Sequence, residues 1–353
     1  MERREILRKL FFGIKSVQNV LKTPPNDKLT TYSPNTDSTH SFDLDWQNWP
    51  NMRWLGDEIV TQEVENWHIQ KGLLATLTSD EEVMATFAKY QLQANGKDFR
   101  AQLSFRFANE IDDPKNAYIG FKIHEQNNGD NDKFTKTDEL GISAGISAEG
   151  SLFFGSSVSH RKDISEKLKE FVFLQLSYKE LTDGSTFAKL SLKDSAGNTL
   201  ATFSTKNFEA KEWKGSIGIV ACCQSTSKLV KNEFLKIQNC RLEGERLLHL
   251  PLMEVNPILQ TSTQLQQNRL SVSAKFAPVN VDDSKAVLLI LQQDNWKKIM
   301  EEKINTNTLT AHFNLDDWAS LQTNQCKVGC EIRLHNGETK RYTCKPIVPA
   351  SEI

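Results

Sequence analysis

The sequence predicts an all-β chain folded as two successive sandwiches. Short apolar–polar alternations recur from about residue 42 to residue 344, with almost no helical period between them. Turn dipeptides punctuate these runs: Asn95-Gly96, Asp183-Gly184, Gly197-Asn198 and Asn336-Gly337. The strands fall into two lengths of chain, 42–247 and 248–346. Ten or more short strands without helical crossovers make the first an antiparallel double sheet. Its length suits a concanavalin A/LamG-like jelly roll. The second, with six or seven strands, fits a small immunoglobulin or fibronectin type III-like β-sandwich.

Residues 1–22 precede both. Arg3-Arg4 followed by Ile6-Leu7-Arg8 resembles the twin-arginine export pattern, whereas Ile6, Leu10, Ile14, Val17 and Leu21 fall at helical spacing. A signal and an amphipathic helix are both open readings. The first implies an exported protein, periplasmic or at the cell surface; the alternative is cytoplasmic. Residues 23–41 are rich in Pro, Ser, Thr, Asn and Asp and read as a linker.

The larger domain begins with a crowd of tryptophans, Trp46, Trp49, Trp54 and Trp67. Strands follow at Trp67–Gln70, Leu73–Thr78, Met84–Gln93 and Phe99–Ala108. A meander then runs from Ala117 to Gly155, with a polar loop at 125–138 inside it. Along Ala117–His124, Ile119, Phe121 and Ile123 share one face, and Tyr118, Lys122 and His124 share the other. Residues 163–170 read as a short helix. Strands at Phe171–Tyr178, Thr186–Lys193, Thr199–Ser204, Ser216–Ala221 and Glu233–Leu242 complete the domain. The smaller domain has strands at Arg269–Phe276, Lys285–Gln292, Lys297–Ile304, Thr308–Asn314, Gln325–Leu334 and Lys340–Cys344. Residues 347–353 form a tail.

Charge excludes some partners. With 43 basic and 45 acidic residues well mixed, the formal net charge is −2, which gives no reason to expect nucleic acid. No apolar run approaches the roughly 18–20 residues of a transmembrane helix. The six cysteines show no zinc-ligand spacing and read as buried free thiols. Pairing of Cys326 or Cys330 with Cys344 across a hairpin stays open.

No catalytic constellation assembles. A retaining glycosidase needs two closely spaced carboxylates. The run Glu110-Ile111-Asp112-Asp113-Pro114-Lys115 starts such a pattern and then places Lys115 where the second Glu belongs. The seven histidines are scattered outside metal-binding spacings. Two binding candidates remain. Asn128, Asp130 and Asp132 offer hard oxygens in the 125–138 loop, for calcium or for a ligand. Trp46 and Trp54 offer aromatic faces for a sugar, against the plainer reading that they pack a core.

The strand Tyr118-Ile119-Gly120-Phe121-Lys122-Ile123 is followed by Glu139-Leu140-Gly141-Ile142-Ser143-Ala144-Gly145-Ile146 and then by Glu149-Gly150-Ser151-Leu152-Phe153-Phe154-Gly155. This succession resembles the N-terminal region of bacterial PhoD-like (alkaline phosphatase D-type) metallophosphoesterases. Phe234 to Gly244, Asn256-Pro257-Ile258-Leu259, Asp317-Trp318 and Tyr342 to Pro346 extend the likeness over roughly residues 100–346. The family's metal-binding signatures, which include Gly-Asn-His-Asp/Glu, have no counterpart here. The resemblance therefore implies a non-catalytic region with no cofactor of its own. Divalent metals would belong to a phosphatase domain outside this chain. Its role would be to position that domain, or to bind a glycan or cell-surface polymer, with the 125–138 loop as the contact. Two other classes stay open: a jelly-roll glycoside hydrolase or lyase with a degenerate motif, and a structural surface-interaction module.

Overall fold

The computed structural model describes residues 40–61, 63–124, 141–159, 163–182, 185–206, 213–223, 232–250, 255–321 and 323–349. The 1–22 segment and the 125–138 loop, with Asn128, Asp130 and Asp132, lie outside them. The first part of the chain supplies strands β1 (His40–Asp45), β2 (Ile59–Thr61), β3 (Trp67–Gln70), β4 (Leu73–Leu77), β5 (Ser79–Leu92), β6 (Asp98–Phe107), β7 (Tyr118–His124) and β8 (Gly141–Ser147). It continues with β9 (Leu152–Phe154), β10 (Ser157–Ser159), β11 (Val172–Glu180), β12 (Thr186–Lys193), β13 (Thr199–Lys206), β14 (Gly215–Cys223), β15 (Glu233–Gly244) and β16 (Leu247–His249).

These strands form two sheets. One has the order β13-β12-β11-β6-β15-β4-β3, with β1 also on β15. The other has the order β10-β9-β8-β7-β14-β5-β16, with β2 also on β5. The central pairings are antiparallel and link strands far apart in sequence, β6 with β15 and β7 with β14, as a jelly roll requires. Alternation decides which side chains meet in the core. Leu103, Phe105, Leu174, Leu176 and Leu190 of the first sheet are fully buried, as are Ile119, Phe121, Ile146, Ile217 and Ile219 of the second. Arg246, also buried, closes one end. Its guanidinium stacks 4.4 Å from the Tyr178 ring centroid and donates to the carbonyls of Gly96 (3.1 Å) and Ala94. Its charge is thus met by backbone dipoles and an aromatic face.

The short helix expected at 163–170 is a single 3-10 turn, Lys167–Lys169. Glu166 sits at its N-cap without a side-chain cap hydrogen bond. A segment this short cannot meet the cost of helix nucleation without such help.

Among the described residues the second unit is a sandwich of seven strands. Its strands are β17 (Ile258–Gln266), β18 (Arg269–Phe276), β19 (Ser284–Gln292), β20 (Asn295–Lys303), β21 (Thr310–Leu315), β22 (Cys326–Arg333) and β23 (Thr339–Thr343). One sheet has the order β17-β18-β21 and the other β20-β19-β22-β23. Val272, Phe276, Leu288, Ile290, Val328 and Cys330 are fully buried in its core.

Two earlier segments, Trp46–Glu58 and Trp67–Leu74, belong with the second unit rather than the first. The first of these is a strap. The backbone N–H groups of Arg53 and Trp54 both donate to the Pro278 carbonyl (3.0 and 3.1 Å), and His335 donates its backbone N–H to the Asn48 carbonyl (2.7 Å). Trp54 meets the Tyr342 ring edge-on at 5.0 Å and the Trp49 ring at 5.9 Å, while Lys340 Nζ lies 4.4 Å over Trp49. The Tyr342 hydroxyl donates to Asp57 Oδ1 at 3.1 Å.

Candidate functional site

The structure separates the candidate residues. Trp46 is fully buried and Trp54 nearly so, both as parts of the strap. A sugar-stacking ring must keep one face open to its ligand, and neither does. The packing reading of these tryptophans is the one the geometry follows. The acidic run around Asp113 behaves as a turn between β6 and β7. Asp113 accepts from the Asn116 side chain (2.7 Å) and backbone N–H (3.3 Å), and its backbone carbonyl accepts from Ala117. The Asn116 side chain holds the Asp113 carboxyl below its ordinary range. All six cysteines are free thiols, so no disulfide joins Cys344 to Cys326 or Cys330. Among the described residues, no group of three His, Cys, Asp or Glu side chains could hold a metal ion.

A different set of residues comes together on the outer face of the sheet built around β7. In β7 the side chains of Tyr118, Lys122 and His124 point away from the core, with Gly120 between them. Registers place Gly145 of β8 and Val220 of β14 beside Gly120, with Gly218 of β14 beside Lys122. Phe153 of β9 is next to Gly145, and Met84 of β5 is next to Val220. The floor of this face is therefore backbone and small side chains, all buried. The rim is made of half-buried Phe153, Tyr118, Lys122, Met84 and Glu82.

The glycines are required by this arrangement. A Cβ on Gly120 would come within 2.3 Å of the Ala144 carbonyl oxygen, and one on Gly145 would meet the Ile119 carbonyl oxygen at 2.3 Å and the Phe153 ring at 2.6 Å. The Phe153 ring thus lies over Gly145 and meets Tyr118 edge-on, 5.4 Å between centroids.

One polar cluster stands on the rim. Tyr118 donates its hydroxyl to one oxygen of Glu82 at 2.6 Å, and Lys122 Nζ donates to the other at 2.6 Å. Burial raises the Tyr118 phenol well above its usual range, and Glu82 raises it further. The phenol therefore stays protonated and remains a donor. Cys222, beside it on β14, is pushed up to about 11, by burial first and then by Glu82. A thiol held protonated at neutral pH is not a nucleophile. At the end of β7, burial lowers the His124 imidazole, with Lys122 adding to the effect. The cluster can hydrogen-bond a polar ligand. The described partners of Glu82 are a phenol and an ammonium.

No protein-family model matches the chain, and no curated protein matches it. Solved structures do. Lectin II from Ulex europaeus is 12% identical, covering 57% of this chain and 97% of its own, with a TM-score of 0.41. A lectin from Bauhinia forficata in complex with GalNAc is 10% identical over 60% of this chain and 100% of its own, TM-score 0.41. An endo-1,3-beta-glucanase from Streptomyces sioyaensis is 12% identical over 64% of this chain and 100% of its own, TM-score 0.38. The jelly-roll assignment rests on the sheet orders and registers themselves. Among the described residues no helix is long and apolar enough to cross a membrane.

The sequence reading missed this face because its members come from five strands between residues 82 and 220. One signal was present: Gly120, Gly141, Gly145 and Gly218 sit inside strands, where glycine marks a bulge or a close approach by backbone or ligand.

Proposed function

We propose that the chain is a non-catalytic glycan-binding module whose larger domain engages a saccharide on the outer face of the β7 sheet. The observation that carries this reading is the glycine floor with a half-buried rim of Phe153, Tyr118, Lys122 and Glu82. A half-buried aromatic ring beside a few fixed polar groups offers the mix of apolar and directional contacts that small-ligand sites use. An aromatic ring beside a fixed donor–acceptor pair suits a pyranose, which has an apolar face and a hydroxylated edge. The test is affinity electrophoresis of the whole chain through gels containing soluble polysaccharides. Retardation of the native chain and its loss in Phe153→Ala are expected. Polysaccharide or phosphoester turnover by the purified chain would overturn the non-catalytic part of the reading.

A second reading concerns context. The motif segments that resemble PhoD-like metallophosphoesterases occupy β7, β8 and β9, which pair consecutively. On this reading, which rests on the sequence resemblance alone, the chain positions a phosphatase domain. A gene continuation or neighbouring reading frame encoding the Gly-Asn-His-Asp/Glu signature is the expected finding. An unrelated genomic neighbourhood would remove the support.

A further inference from the structure

The glycan reading leaves open what kind of sugar the face accepts, and the Glu82–Tyr118–Lys122 cluster addresses that. Resting on that reading, we infer that this cluster is the polar contact of the site and that it selects neutral saccharides presenting two adjacent hydroxyls. Three observations carry the inference.

The first is charge. Glu82 and Lys122 are a directly bonded ion pair at 2.6 Å, so the cluster presents no net charge to a ligand. An anionic sugar would have to approach the Glu82 carboxylate, and a cationic one the Lys122 ammonium. Either meets a like charge at close quarters, with no net opposite charge on the cluster to offset it.

The second is directional capacity. An ammonium has three N–H donors, and Glu82 uses one of those on Lys122. The carboxylate has about four lone-pair sites and accepts two described hydrogen bonds. Spare donors and spare acceptors thus lie next to each other. A pair of adjacent hydroxyls is complementary to such an edge, since one can accept from Lys122 while the other donates to Glu82.

The third is preorganisation. The side chains of Lys122 and Glu82 are 19% and 30% exposed, enough to be reached and yet largely held in place. Tyr118, with its protonated hydroxyl on Glu82 and its ring against Phe153, is a positioning residue rather than a contact. Fixing the polar groups before binding removes part of the ordering cost of association.

The experiment uses the whole chain in affinity gels carrying either a neutral glucan or mannan, or an anionic alginate, with calorimetry on oligosaccharides. Neutral polymer should retard the native chain. Glu82→Gln and Lys122→Met should each weaken binding about tenfold or more, with Tyr118→Phe weaker in effect. Mono-deoxy glycosides lacking one hydroxyl of the adjacent pair should compete about tenfold less well against the unaltered protein. That competition needs no variant, so it decides the matter even where a substitution unfolds the domain. Loss of binding in Phe153→Ala with full retention in Glu82→Gln would overturn the cluster's role and leave the glycan face standing. Retardation by alginate alone would overturn the neutral selectivity. No retardation by any polymer would overturn the glycan reading itself.

Discussion

The two outer faces of the jelly roll are built on opposite principles. On the sheet containing β6, β11 and β15, the outward positions are the ordinary ones of a solvated strand. Arg100 and Arg241 pair with Glu243, Arg241 lies 3.8 Å from Asp43, Ser104 donates to Gln238, and Arg106 sits over Phe171. On the β7 sheet the same outward positions hold Gly145, Gly120, Gly218, Cys222, Phe153, Tyr118 and one ion pair. Surface ion pairs between exposed partners contribute little to stability, and their residues are readily exchanged. A glycine-floored face gives up propensity and side-chain packing along three strands. A face that carries that cost is the one to examine for a ligand.

The largest effect that would sharpen this contrast is steric. Gly120→Val places a branched side chain where the Ala144 carbonyl oxygen already stands 2.3 Å from the Cβ position. Destabilisation by about 4 kcal/mol or more is expected, read by urea unfolding. Gln175→Val, at an outward position of the opposite sheet, should change stability by no more than about 0.5 kcal/mol. Similar costs for the two would erase the distinction between the faces.

Next in size is Trp54→Ala, which empties a buried site against Tyr342 and Trp49. A loss of about 3–5 kcal/mol is expected in the unfolding of the C-terminal unit, with saccharide retardation unchanged. Loss of binding without loss of stability would return the tryptophans to the role of platform. A smaller change is predicted for Phe153→Ala: saccharide affinity should fall about tenfold by calorimetry. Native affinity in this variant would remove the aromatic rim from the site.

The smallest effect is one of pH. Burial raises the Glu63 carboxyl, so the folded state holds its proton more tightly than the unfolded chain. The associated stability is fully present below the unfolded carboxylate range and is lost as pH rises through the folded value. Glu63→Gln should therefore stabilise the protein at neutral pH relative to wild type, with the gain shrinking in acid. A gain of equal size at both pH values would rule out titration as the cause.

Most strands were legible because a half-buried strand writes its period into the sequence. Trp67–Gln70, Thr186–Lys193 and Arg269–Phe276 fall at the expected residues. Among the overlooked strands, His40–Asp45 does alternate, with Phe42 and Leu44 buried, but others have weaker patterns. Ile258–Gln266 carries mostly polar residues at a sheet edge, and Ile59–Thr61 and Leu247–His249 are too short to show a period. The site was less legible for a physical reason. Periodicity says which face of a strand looks outward, but only the register of β7 against β8 and β14 brings Gly120, Gly145 and Val220 side by side. The tryptophans left two readings open, of which packing was the plainer. Their bulk suggested a platform, and sequence carries no sign that their partners are Pro278 and Tyr342.

The strap has a consequence for synthesis. Asp57 and Tyr342, joined by a hydrogen bond, are 285 residues apart in sequence. A ribosome releases the strap's tryptophans long before β22 and β23 exist to cover them. Through most of elongation Trp54 lacks its Tyr342 neighbour, and contacts of such long range form late. A nascent chain arrested before residue 339 should keep Trp54 accessible to a holdase or to quenchers of tryptophan fluorescence, and protection should arrive only when the last strand emerges.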